Sequence, residues 1–241
     1  MKIVLENSKH GTEKRAVFHG QTPGNATGQV LDTLNPTENI FLLSPANASG
    51  RRAKMLLNEA SDFELARRLN SSGLLLGEMF SFMSSLYFRG KLTYARAFSQ
   101  ANRFLPGVMI ITPSQGLLLP DTLIRRETLL EMASCKVDAE NPQYRLPLER
   151  TARSILEKFS GPCNVVLLGS IASAKYIAPL LQIFGERLLF PAEFVGRGDM
   201  SRGGLLLRHS QQGRELAYIP VSKANLRGPR PEKLPPIARK K

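Results

Sequence analysis

Residues Asn39–Asn58 read NIFLLSPANASGRRAKMLLN: an apolar run, an abrupt polar loop, then a basic segment with helical leucine spacing. Ile40, Phe41, Leu42 and Leu43 are apolar at consecutive positions, the pattern of a strand buried on both faces, and Ser44-Pro45 stops it. A strand covered on both faces belongs to a parallel sheet with helices on each side. In such sheets ligands bind beyond the carboxyl ends of the strands, where loops present backbone N–H groups and short side chains. Ser44, Asn47, Ser49, Gly50, Arg51, Arg52 and Lys54 stand at that place. The plain alternative is a strand-to-helix turn with solvated arginines.

Three further short apolar runs repeat the signal. Gly107–Pro113 (GVMIITP), Cys163–Leu168 (CNVVLL) and Arg187–Phe190 each lie beside helical patterns: Thr122–Ser134, Leu148–Phe159 after a linker at Asn141–Pro147, and Ala172–Leu181. The alternation predicts an α/β fold, a three-layer α/β/α sandwich whose mostly parallel sheet has about four core strands plus edge hairpins. Edge hairpins are expected from Lys2–Leu5 with Arg15–His19, and from Leu205–His209 with Glu215–Val221. Gly20–Gly28 reads as a loop before a short helix, Gln29–Leu34. Its glycines fit neither GxGxxG nor GxxxxGK[ST]. Ser61-x-x-Glu64 has the form of a capping box opening a helix through Leu69.

The 241 residues carry 33 Lys and Arg against 20 Asp and Glu, a net charge of +13, with 42% hydrophobic residues. That composition excludes a wholly disordered chain and favours a polyanionic partner, nucleic acid before membrane. Lys223–Lys241 holds seven basic residues and one acid, so it is expected to be a flexible Pro-rich basic tail following a single domain over 1–222. The remaining body is basic without it. No apolar run approaches the roughly 20 residues needed to span a bilayer. The first residues lack a signal-peptide core, and Cys135 and Cys163 have no CxxC spacing. The expectation is a cytoplasmic monomer without metal or cofactor.

No Asp or Glu occurs between Glu78 and Asp121, while Arg89, Lys91, Arg96 and Arg103 alternate with Tyr87, Phe88, Tyr94, Phe98 and Phe104. Cations neutralise phosphates and aromatics stack on exposed bases, so the mixture suits single-stranded or flipped nucleotides. The same spacing also describes an amphipathic helix pair, broken near Arg89-Gly90-Lys91, with aromatics inside and cations in water. Glu78, at the start of this stretch, is a candidate acid or base.

The segment CNVVLLGSIASAKYIAPL is similar to the strand–Gly–helix segment of uracil-DNA glycosylase-like proteins, and LLFPAEFVGRGDMSRG stands where that superfamily has its minor-groove loop. SPANASG resembles the water-activating motif, although Pro45-Ala46-Asn47 is not Asn-Pro-Gly and neither Asp-Pro-Tyr nor His-Pro-Ser occurs. A similar likeness links GVMIITPSQGLLLPDTLI to small α/β proteins with an S-A-K-x-G-L-L-x-P motif.

The glycosylase resemblance implies hydrolysis of the N-glycosidic bond of a damaged or modified base flipped out of DNA. Asn47 would hold water and a base edge, while Asp199 or Glu78 would stabilise the oxocarbenium-like transition state. Ser49, Arg51, Arg52, Arg89, Lys91, Arg197 and Arg202 would grip nucleic acid. Phe88, Phe194 and Met200 would stack on bases or wedge into the gap. Two other readings stay open: a non-catalytic DNA- or RNA-binding module, and a nucleoside or nucleotide hydrolase.

Overall fold

The computed structural model describes residues 38–99, 106–158, 163–172 and 174–224, together with 228, 229, 231, 232 and 234. The N-terminal hairpin, glycine loop and short helix expected from the sequence lie outside the described residues.

Glu38–Leu43 is the first strand, β1, and its apolar residues are fully buried. Helices α1 (Arg51–Leu57) and α2 (Glu64–Ser71) follow. A two-residue strand β2 (Leu74–Leu75) leads into α3 (Leu76–Ser84) and α4 (Leu86–Phe98). Next come β3 (Val108–Ile111), β4 (Leu117–Leu118), β5 (Leu123–Ile124), α5 (Arg126–Ser134) and α6 (Pro142–Glu157). The chain continues through β6 (Cys163–Leu168), α7 (Ala174–Phe184), β7 (Leu188–Pro191), α8 (Asp199–Gln212) and β8 (Tyr218–Pro220).

The fold is the expected α/β sandwich. Six strands form one sheet in the order β4-β3-β1-β6-β7-β8, and β2 pairs with β5 in a small antiparallel sheet. The four inner strands are parallel, and the edge strands β4 and β8 run antiparallel to them. The buried runs read from the sequence are those four inner strands. From β1 the chain crosses to β3 on one side, then returns to β6 on the other. Strand order therefore reverses between β1 and β6, the topological switch point of an open α/β sheet, where ligands gather at the carboxyl ends.

One face of β1 packs on α4, with the Phe41 and Tyr94 rings edge to face at 5.8 Å. Helix α4 in turn crosses α8 at glycines. A Cβ on Gly90 would stand 2.7 Å from the Gly203 carbonyl oxygen, and one on Gly203 would stand 2.9 Å from both Leu86 O and Tyr87 Cα. Glycine inside a helix costs about 1 kcal/mol relative to alanine, and here it permits backbone-to-backbone approach.

Several boundaries differ from the sequence reading for identifiable reasons. The largest correction is at Leu205–His209, which lies in α8 and not in a hairpin strand; Gly203 and Gly204 belong to the helix, which ends at the left-handed Gly213. Only Tyr218–Pro220 is extended, pairing with β7. The expected break at Gly90 falls instead at Ser85, whose φ is 53°. Pro142 begins α6 at a position needing no N–H, and Asn141 caps it by accepting from Gln143 N at 3.1 Å, so the expected linker is helical. Helix α5 begins at Arg126 because Leu123–Ile124 pairs with Leu74–Leu75. Helix α2 begins at Glu64 with Phe63 at its N-cap position and no side-chain cap, so the capping box expected at Ser61 does not form. Helix α7 begins at Ala174 and runs to Phe184.

Beyond Lys223, Pro229 lies against Gly196, the Glu232 carbonyl accepts from Arg197, and Leu234 packs on the core. Among the described residues no helix is long and apolar enough to cross a membrane.

Candidate functional site

The floor of the switch point is built around Ser44, the first residue after β1. Its N–H donates to Leu168 O at 3.1 Å, extending the β1–β6 ladder by one bond. Its carbonyl and hydroxyl oxygens accept from Lys91 Nζ at 2.6 and 2.8 Å. Lys91 comes from α4 and is 1% exposed. Helical spacing sets Tyr87 and Phe88 one turn before it, and its ammonium lies 4.6 and 4.9 Å from their ring centroids. Burial drives the Lys91 amine down to about 7; the Asp199 carboxylate opposes this and Arg202 adds to it. Gly169, after β6, leaves the room Ser44 needs, since a Cβ there would stand 2.9 Å from Ser44 Cβ.

Beside this floor lies a cleft of about 560 Å³ lined by residues 45–49 after β1, 132–138 at and beyond the end of α5, and Lys175 and Tyr176 of α7. The loop is held open by Asn47, whose Oδ1 accepts from Ser49 N at 3.1 Å and Ser49 Oγ at 2.9 Å. Both acceptor positions of that oxygen are thereby used, leaving Nδ2 as the donor the side chain can offer a ligand. Asp138, also in the lining, is paired with Lys136 Nζ at 2.8 Å and accepts from Glu140 N at 3.2 Å. These contacts hold its carboxyl below the usual carboxylate range, the lysine bond first among them. Cys135 Sγ donates to Pro113 O at 2.8 Å, and burial pushes its thiol up. Burial also raises the Tyr176 phenol, with the Asp199 carboxylate adding to the shift.

Asn47 and Ser49 are the sequence-chosen residues that line this cleft. Asp138, Lys175 and Tyr176 carry no local signal in CKVD or SAKY; the topology brings them to β1.

Arg197, Asp199 and Met200 line a different recess, of about 610 Å³, with Ser201, Arg208 and Leu234. Asp199 stands 3.5 Å from Arg202, and Arg197 is tied to Glu193 O, Ser201 Oγ and Glu232 O. The two recesses have no lining residue in common, so Asn47 and Asp199 do not line one pocket. Arg52, Glu78 and Arg89 line a third cleft, and Arg51 is exposed.

Four nucleic-acid contacts expected from the sequence are internal. Phe88 and Phe194 are core residues with no exposed surface, Phe194 packing against Phe190 at 5.6 Å, so neither can stack on a base. Lys91 is committed to Ser44. Buried Arg202 donates Nε and a second guanidinium N–H to Phe194 O, both at 3.2 Å. The two phenylalanines are core side chains, and the two cations lie on α4 and α8, where Ser44 and the Phe194 carbonyl satisfy their charges in place of water. Met200, by contrast, is 66% exposed.

Glu78 is also committed. Its two carboxylate oxygens accept from Arg68 at 2.7 and 2.8 Å in a bidentate pair. Glu78→Gln is therefore expected to lower thermal stability slightly and to leave any turnover at the parental rate. A lost activity with an unchanged melting curve would return Glu78 to the list of catalytic groups.

Among the described residues no group of three or more His, Cys, Asp or Glu could hold a metal ion. Comparison with protein-family models, with curated proteins and with solved structures finds no match to this chain.

Proposed function

We propose that the chain hydrolyses the N-glycosidic bond of a damaged or modified base turned out of DNA, seating that base in the cleft beside β1. The observation that carries this reading is the cleft's position and lining: it opens at the switch point, and the Asn47 amide and the Asp138 carboxylate are both part of its lining. A volume of about 560 Å³ accommodates a base with its sugar. The net charge of +13 supplies the attraction for a polyanion.

In this reading Asn47 Nδ2 donates to the base edge and stabilises charge as the base departs. Asp138 stays ionised, faces the positive charge that grows on the sugar, and stabilises it electrostatically. The bond from sugar C1′ to the base nitrogen breaks with its electron pair passing to the base. Water forms the new bond to C1′ and releases its proton to solvent, and solvent protonates the departing base.

The test is abasic-site formation on oligonucleotides carrying a panel of modified bases. Asn47→Ala and Asp138→Asn are each expected to slow the reaction about 100-fold, the usual cost of removing one transition-state contact. Asp199→Ala, in the other recess, should retain most of it. Parental rates in both cleft variants would overturn the site, and no product from any DNA or free nucleoside would overturn the activity. A non-catalytic nucleic-acid-binding module is the second reading, favoured by the same charge excess; it requires binding that falls with salt and no product.

A further inference from the structure

The third cleft is a cationic hollow of about 550 Å³ between α1 and the start of α4. Two guanidinium groups line it. Arg52 donates from one terminal nitrogen to Phe82 O at 2.8 Å, and its guanidinium lies 5.8 Å from the centroid of the Phe82 ring, which fixes its plane. Its other N–H groups remain for a ligand. Arg89 is exposed and in none of the ion pairs among the described residues. The carboxylate on the same wall, Glu78, is held bidentately by Arg68. It therefore neutralises Arg68 rather than either cleft arginine, and the hollow keeps two guanidinium charges beside one carboxylate that is already paired.

Such an arrangement favours an anion able to engage both groups, and guanidinium forks match phosphate oxygens. The backbone at its edge adds a second sign: Ser85 is the one non-glycine residue with positive φ among the described residues, and such strain is concentrated where a ligand is held.

The position of this hollow relative to the first cleft is set by the chain itself. Ser49 lines the first cleft and Arg52 the third. They are three positions apart, so their Cα atoms lie at most about 11 Å from each other. One or two nucleotides of an extended strand can span that separation. A concave hollow admits one strand, whereas duplex phosphates lie on a convex surface.

We infer that the Arg52–Arg89 cleft seats a backbone phosphodiester of single-stranded DNA, one or two nucleotides from the base held beside Asn47. This rests on the nucleic-acid reading of the first cleft.

The experiment is fluorescence anisotropy of a labelled thymidine dodecamer across a salt series, with the full chain and the variants Arg52→Gln, Arg89→Gln and their combination. Arg150→Gln, exposed on α6 away from both clefts, controls for net charge. Each cleft variant is expected to reduce the slope of log affinity against log salt by about 0.7, and the double variant by about twice that. Affinity at low salt should fall about tenfold per arginine, with Arg150→Gln close to the parent. Arg89→Gln breaks no internal bond, so its result stands even if Arg52→Gln perturbs α1. Parental slope in the double variant, or an equal loss in Arg150→Gln, overturns the phosphate seat while leaving the glycosidase reading intact. Failure of the parent chain to bind the dodecamer at low salt overturns both.

Discussion

Gly203→Ala is expected to destabilise the protein by about 2 kcal/mol, even though the same change inside an ordinary helix is favourable. The propensity gain of alanine over glycine is about 1 kcal/mol. Against it stands overpacking, which costs about 1–3 kcal/mol and sometimes more when nothing can move aside. At Gly203 the atoms in the way are Leu86 O and Tyr87 Cα, both backbone of α4 and both at 2.9 Å, so no side chain can rotate to make room. The helices must separate, and the buried faces of α4 and α8 open with them. For a unit of this size the melting temperature should fall by about 4–8 °C. Gly204→Ala is the internal control. On the same helix its new methyl would meet, among the described residues, only Leu234 Cδ1 at 4.0 Å, so stability should stay level or rise by about 1 kcal/mol. Thermal unfolding of the two variants side by side checks the crossing; a Gly203→Ala protein that melts no lower than the parent would rule it out.

Lys91→Met tests the floor of the switch point through the pH dependence of stability. Burial holds the folded-state amine near 7, against an ordinary value of 10.5. Between those values the unfolded chain binds more protons than the folded one, so parental stability rises with pH across that window, by at most about 1.4 kcal/mol per unit. Below pH 7 the full penalty of burying an ammonium is present; above about 10.5 it is gone. The groups that face the amine are Asp199, Arg202 and the Tyr87 ring. Methionine fills similar volume without the charge, but strands the Ser44 carbonyl and hydroxyl, at about 1–3 kcal/mol for a buried acceptor left unmade. The variant should therefore be clearly weaker than the parent at pH 9 and draw level with it, or pass it, toward pH 6. Denaturant melts across pH 6–10 measure the difference, and a gap that does not change with pH would show that Lys91 keeps its charge throughout. The comparison isolates this one amine because the remaining titrating groups are shared by both proteins.

The two experiments also bear on the candidate site. Separation of α4 from α8 would shift Lys91 from Ser44 and with it the loop that carries Asn47. An activity loss in Gly203→Ala that exceeds its loss of folded protein would show that the crossing positions the cleft as well as supporting the core.

Hydrophobic pattern alone determined the four inner strands and the sandwich. Ile40–Leu43, Val108–Ile111, Val165–Leu168 and Leu188–Phe190 are continuous apolar runs because both faces of a central parallel strand are covered, and that requirement is written residue by residue. The same local reading failed at Leu205–His209, where a short apolar run beside two glycines suits a strand after a loop as well as a helix at a close crossing; α4, distant in sequence, decides between them. Spacing likewise marked Asn47 as a loop residue beyond a buried strand, but which groups face it could not be read, since Asp138 and Tyr176 arrive from elements about 90 and 130 residues further along. Nor does composition separate a cation that meets water from one that meets a carbonyl: Arg89 and Lys91 sit two positions apart on α4, one exposed and one enclosed beneath Ser44. A helix turns about 100° per residue, so two positions carry a side chain most of the way to the opposite face, and only the packing of α4 on β1 and α8 decides which of the two is buried.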